Sequence, residues 1–146
     1  MKQITEETST IAIIQNQYKI LITRRKKDCF LEPNKWEFPR AKVEPNESSE
    51  ECIIRKVKKE FGLTIIITKL FLKRTHIYVN NNQIINNNLV AFIADWIDGN
   101  VENIDCNGSL WVDRNDLEFY DFVETDFPII KELLTLIHKG DKKYEV

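Results

Sequence analysis

Lys56, Lys59 and Glu60 are spaced three and four residues apart within one short stretch, and on a helix that spacing puts all three side chains on one face. Two ammonium groups and one carboxylate leave that face net positive. A hard divalent cation needs oxygen ligands, and a lysine at neutral pH donates hydrogen bonds without accepting them. The face suits an anion better, with the ammonium groups as counter-charges. The plainer reading is a solvated helix laced by Lys56–Glu60 and Glu51–Arg55 ion pairs, each worth roughly 0.3–0.5 kcal/mol. Arg24, Arg25, Lys26 and Lys27 form a second basic block, and Trp36, Phe38 and Tyr78 are aromatics able to stack on a flat ring. His76 and His138 stand apart from any ligand constellation.

The elements that must position these groups are legible from pattern. Residues 10–15 (TIAIIQ) and 18–23 (YKILIT) are β-branched runs around Asn16-Gln17, which predicts two strands joined by a tight turn, the first central in a sheet. Residues 36–38 form a short alternating strand stopped by Pro39, followed by a polar loop over 40–47. Ser48 and Glu51 have capping-box spacing; Ile53, Ile54, Val57 and Phe61 recur as a buried stripe, and Gly62 is a C-terminal stop. A helix over residues 49–61 follows. Residues 65–73 and 89–96 are strands flanking an asparagine-rich stretch suited to hairpin turns. A short strand at 110–112, a helical turn capped by Asp113 or Asn115, and a last helix from Asp126 to Gly140 complete the chain, with Pro128 early in that helix.

A chain of 146 residues with 42% apolar and 30% charged content has the size of one domain, so residues 1–146 are read as a single unit with loosely ordered ends at 1–9 and 141–146. The formal net charge of −2 provides no global field for nucleic acid. Cys29, Cys52 and Cys106 fit neither a zinc pattern nor a disulfide scaffold, which points to a reducing compartment. No apolar run approaches the roughly 20 residues of a membrane span. The expectation is a cytoplasmic protein without membrane contact.

The stretch over residues 36–63, WEFPRAKVEPNESSEECIIRKVKKEFGL, resembles the Nudix box, G-x5-E-x7-R-E-U-x-E-E-x-G-U with U aliphatic. Matches fall at Glu47, Arg55, Val57, Glu60, Gly62 and Leu63. The MutT-like branch is further suggested by Ile22-Thr23-Arg24-Arg25 before the box and by residues 121–130 after it. The resemblance implies the Nudix fold, an α/β/α sandwich with a mixed β-sheet. It also implies a nucleotide cleft beside the helix, a phosphate-side role for Arg25 and a base-reading role for Asp126. Glu47, Arg55 and Gly62 become structural residues of the box, with Glu47 or Glu60 as the partner of Arg55.

Family members hold divalent metals with box glutamates and use them to activate water. Two of those positions are Lys56 and Lys59 here, and the usual glycines are Arg40 and Ala41. Unit charges about 4 Å apart interact by roughly 4 kcal/mol at an effective dielectric near 20, so two reversals weigh heavily against a metal cluster. The leading expectation is a degenerate MutT-like domain that binds a nucleotide or nucleotide derivative with little hydrolysis and no cofactor. Arg25, Arg40, Lys56 and Lys59 would face the phosphates, and Phe38, Tyr78 and Asp126 the base. The alternative is a Mg²⁺- or Mn²⁺-dependent nucleoside triphosphate pyrophosphohydrolase of the 8-oxo-dGTPase or CTP pyrophosphohydrolase type. It would use Glu60 as catalytic residue and metal ligand, with Asp105 as a second ligand. A third class is an RNA- or protein-binding module of the same fold.

Overall fold

The computed structural model describes residues 3–138. Its elements run β1 (Gln3–Asn16), β2 (Lys19–Arg24), β3 (Trp36–Glu37), β4 (Arg40–Lys42), α1 (Ser49–Phe61), β5 (Thr64–Asn80), β6 (Gln83–Asp98), β7 (Ser109–Asp113) and α2 (Phe127–His138), with 3-10 turns at Arg114–Phe119 and Glu124–Asp126. The strands form a mixed sheet in the order β3-β2-β1-β6-β5, with β4 paired to β1 and β7 to β2. Strand β1 is central, as its apolar run predicts, and is parallel to β6 but antiparallel to β2 and β4.

Alternation along β1 divides the core. Ile11 and Ile13 face a cluster completed by Phe38, Phe122, Ile129, Ile130 and Leu133, whereas Ala12 and Ile14 face Cys52, Ile53, Val57 and Phe61 of α1. The sheet is therefore covered by α2 on one side and α1 on the other, which is the expected α/β/α sandwich. Burial on both faces also explains why β1 and β6 read as continuous apolar runs at their centres.

Helix α1 starts and stops where its sequence says. The Ser48 hydroxyl accepts from the Glu51 N–H at 3.1 Å, and the Glu51 carboxylate accepts from the Ser48 N–H at 3.3 Å. Gly62 ends the helix in the left-handed region at φ 70° and donates its N–H to the Lys58 carbonyl. A side chain is excluded more strongly at Gly99, where a Cβ would lie 2.2 Å from the Gly62 carbonyl oxygen. These two glycines bring the helix end against the end of β6.

Three expectations need correction. Residues 3–9 are not loosely ordered but extend β1, in parallel register with β6 from Gln3↔Gln83 onward. Their polar composition carries no apolar alternation, yet the ladder satisfies their backbone groups, and Glu6 accepts side-chain bonds from Asn86 and Asn88. The asparagine-rich stretch is likewise mostly strand: only Asn81 and Asn82 turn the hairpin, both at positive φ as a two-residue primed turn requires. The 40–47 loop contains β4, which pairs Ala41 with Thr10. The predicted stop at Gly140 and the tail over 141–146 lie outside the described residues.

Candidate ligand-binding cleft

The end of β2, the segment after it and the turn before α2 meet over the Ile11–Ile13 face of the sheet. Two hollows lie there, sharing Arg25, Leu31 and Arg40 as a common wall. The first, about 340 Å³, is lined from the sheet by Glu7, Ser9, His76, Tyr78 and Asn87 and from the opposite side by Glu32 and Thr125. The second, about 430 Å³, is lined by Arg24, Lys26, Phe30, Glu37, Asp105 and Cys106 among others. One is mixed polar and aromatic, and the other is rich in basic groups.

A buried ion network forms the floor between them. Arg40 places its Nε 3.0 Å from Glu37 Oε1 and bonds through Nη2 to Asp126, while Nη1 donates to the Thr125 hydroxyl at 3.3 Å. The Phe38 N–H donates to the other Asp126 oxygen at 3.0 Å. Burial works against the Arg40 guanidinium, but the charges of Asp126 and then Glu37 outweigh it and hold its pKa above the ordinary value. Arg25 shares the same Glu37 oxygen at 2.9 Å and donates Nη1 to the Leu31 carbonyl at 2.7 Å, which pins the segment after β2.

On α1, Arg55 meets Glu47 at 3.0 Å, and this guanidinium together with a backbone N–H holds the Glu47 carboxyl down at about 2. Burial, helped by the Glu47 charge, pushes the nearby Cys52 thiol up to about 11, which makes it an inert core group rather than a nucleophile. Lys56 Nζ lies 2.7 Å from Glu60 Oε1. Lys59 is exposed. Asp105 pairs with Lys26 at 2.8 Å; that bond holds its carboxyl below the ordinary range, and Lys56 adds a smaller push in the same direction.

The structure brings together some of the sequence-predicted residues. Arg25, Arg40 and Tyr78 line the hollows, Glu47 and Arg55 pair with each other, and Gly62 caps the helix. Phe38 is a correction: its ring is fully buried against Phe122, with centroids 5.3 Å apart, so it has no face open to a base. Asp126 is a second: it is fully buried, and both its oxygens are engaged, by Arg40 and by the Phe38 N–H. The expected Glu51–Arg55 pair gives way to the capping box and the Glu47–Arg55 pair. Glu60 and Asp105 are each held by a lysine, and the described residues contain no group of three His, Cys, Asp or Glu side chains placed to hold a metal. Lys56 and Lys59 are not among the residues lining the two hollows.

Glu7, Ser9, His76 and Asn87 were not predicted to line a cleft. The signal was present for Glu7 and Ser9, which continue the alternation of Ile11 and Ile13. Asn87 and His76 are placed by parallel pairing and a long hairpin, neither of which local pattern discloses.

Residues 5–133 match the NUDIX domain family, and the chain belongs to that family. It is 29% identical over 127 residues to the 8-oxo-dGTP diphosphatase of Buchnera aphidicola, an alignment covering 87% of this chain and 92% of that one. A second relative, the 8-oxo-dGTP diphosphatase of Escherichia coli, is 39% identical over 64 residues, which is 43% of this chain and about half, 49%, of the relative. The solution structure of the E. coli ORF135 protein superposes with a TM-score of 0.77 at 22% identity, covering 95% of this chain and 96% of that one, and shows the shared fold. No helix among the described residues is long and apolar enough to cross a membrane.

Proposed function

We propose that this Nudix domain binds a nucleotide across the two hollows and uses protein cations, rather than a bound metal, to offset the phosphate charge. The observation that carries this reading is the basic lining of the second hollow, Arg24, Arg25, Lys26 and Arg40, beside the mixed polar and aromatic one, while the ion pair between Lys56 and Glu60 at 2.7 Å weighs against a metal. The box carboxylate that remains is already neutralised by an ammonium group, and a divalent cation placed beside it would meet that ammonium as a like charge. The residues present therefore do not fit the metal cluster of the family. Arg24, Arg25 and Lys26 give the second hollow the donors a phosphate chain needs.

Nucleotide binding measured by calorimetry in EDTA tests the reading. Binding that persists without metal and weakens in Lys26→Glu is the expected result, and absence of binding to every mono-, di- and triphosphate contradicts it.

The names of the relatives favour a second reading, a Mg²⁺- or Mn²⁺-dependent nucleoside triphosphate pyrophosphohydrolase. It requires Glu60 to leave Lys56 and Asp105 to leave Lys26. Metal-dependent pyrophosphate release that Glu60→Gln abolishes establishes it.

A further inference from the structure

Asp126 is fully buried and lines neither hollow, so the acceptor for a base edge must come from elsewhere in the cleft. Glu7 is the carboxylate on the sheet wall of the first hollow. It stands opposite Asn87 in the β1–β6 ladder, and Asn87 stands opposite His76 in the β5–β6 ladder. One row across three strands thus carries a carboxylate, an amide and an imidazole.

Hydrogen bonding fixes what this row still offers. Glu7 Oε1 accepts from Lys42 Nζ at 3.1 Å and Oε2 accepts from the Tyr78 hydroxyl at 3.2 Å. A carboxylate has about four lone-pair sites, so acceptor capacity remains. The Asn87 amide oxygen accepts from the Ser9 hydroxyl at 3.0 Å, and its Nδ2 has no hydrogen-bond partner among the described residues. An acceptor and a donor therefore stand side by side, next to the stacked rings of His76 and Tyr78, whose centroids are 6.0 Å apart. The basic hollow lies beyond the shared wall of Arg25, Leu31 and Arg40, and this sets the polarity of a bound nucleotide, base in one hollow and phosphates in the other.

Resting on the nucleotide reading above, we infer that Glu7 is the specificity-determining residue of the cleft, accepting a hydrogen bond from an exocyclic amine of the base while Asn87 donates to the adjoining ring nitrogen or carbonyl. Cytosine, adenine and guanine offer that amine. A base with a carbonyl in its place sets acceptor against acceptor in a partly desolvated pocket, and a lost bond to a charged group is worth on the order of 10- to 100-fold in affinity.

The test is calorimetry on the full chain in EDTA, with CTP against UTP, ATP against ITP and GTP against XTP. At least one amino nucleotide should bind 10- to 100-fold more tightly than its keto counterpart, and Glu7→Gln, whose amide can both donate and accept, should bring that pair within about threefold. Equal affinities within each pair for the unmodified chain overturn the inference and leave nucleotide binding standing. A preference that survives in a folded Glu7→Gln variant overturns the role of Glu7. Should that variant fail to fold, Glu7→Asp, which withdraws the carboxylate by one methylene, takes its place: an undiminished preference there contradicts the assignment. No binding of any of these nucleotides overturns the nucleotide reading and the inference together.

Discussion

Two arginine–carboxylate networks hold residues 36–63 in place, and they differ in burial. At the start of α1, Arg55 and Glu47 meet beside the Ser48–Glu51 capping box, with the Arg55 side chain 46% exposed. On the cleft floor, Arg40 and Asp126 meet with Asp126 fully buried. The exposed network shapes the loop into the helix and contributes little energy. The buried one fixes the boundary between the two hollows, because removing either partner strands a charge in the interior. Lys56 and Lys59 belong to neither network: Lys56 is matched by Glu60 alone and Lys59 is exposed.

Arg40→Ala leaves Asp126 buried without its cation and should cost about 3–5 kcal/mol, measured by urea unfolding; a cost under about 1 kcal/mol means the floor pair is no more structural than the surface one. Ser48→Ala removes the helix cap and should cost about 1 kcal/mol in the same assay, with nucleotide affinity unchanged.

The exposed network is sharpened by pH. The folded Glu47 carboxyl titrates at about 2, below its ordinary 4.5, so its contribution is fully present above pH 4.5 and is lost as pH falls toward 2. Thermal midpoints measured between pH 5 and 2 should fall less steeply in Glu47→Gln than in the unmodified chain, and parallel curves contradict the pairing. Smallest of all, Lys59→Ala should change stability by less than about 0.5 kcal/mol, because an exposed lysine outside both networks holds nothing in place.

The scaffold was legible because its signals are local. Ser48, Glu51, the Ile53–Val57–Phe61 stripe and Gly62 each act within a few residues, and α1 has the predicted bounds of Ser49–Phe61. The floor of the cleft was not legible, because Arg40 and Asp126 lie 86 residues apart and their meeting depends on how the sheet is threaded. Phe38 shows the same limit: alternation puts Trp36 and Phe38 on one face of the strand, and only the packing against Phe122 shows that Phe38 is fully buried while Trp36 is not. The wall formed by Glu7, Asn87 and His76 was hidden further, since it is assembled across the hairpin and the parallel ladder from residues remote in sequence.

In the proposed function Lys56 and Lys59 oppose a metal cluster, and the basic groups of the second hollow meet the phosphates instead. The most direct test of that reading is pyrophosphate release from nucleoside triphosphates by the purified chain in Mg²⁺ and in Mn²⁺. No release above the protein-free rate is expected, with the nucleotide recovered intact from the complex. Metal-dependent release that disappears in Glu60→Gln contradicts it.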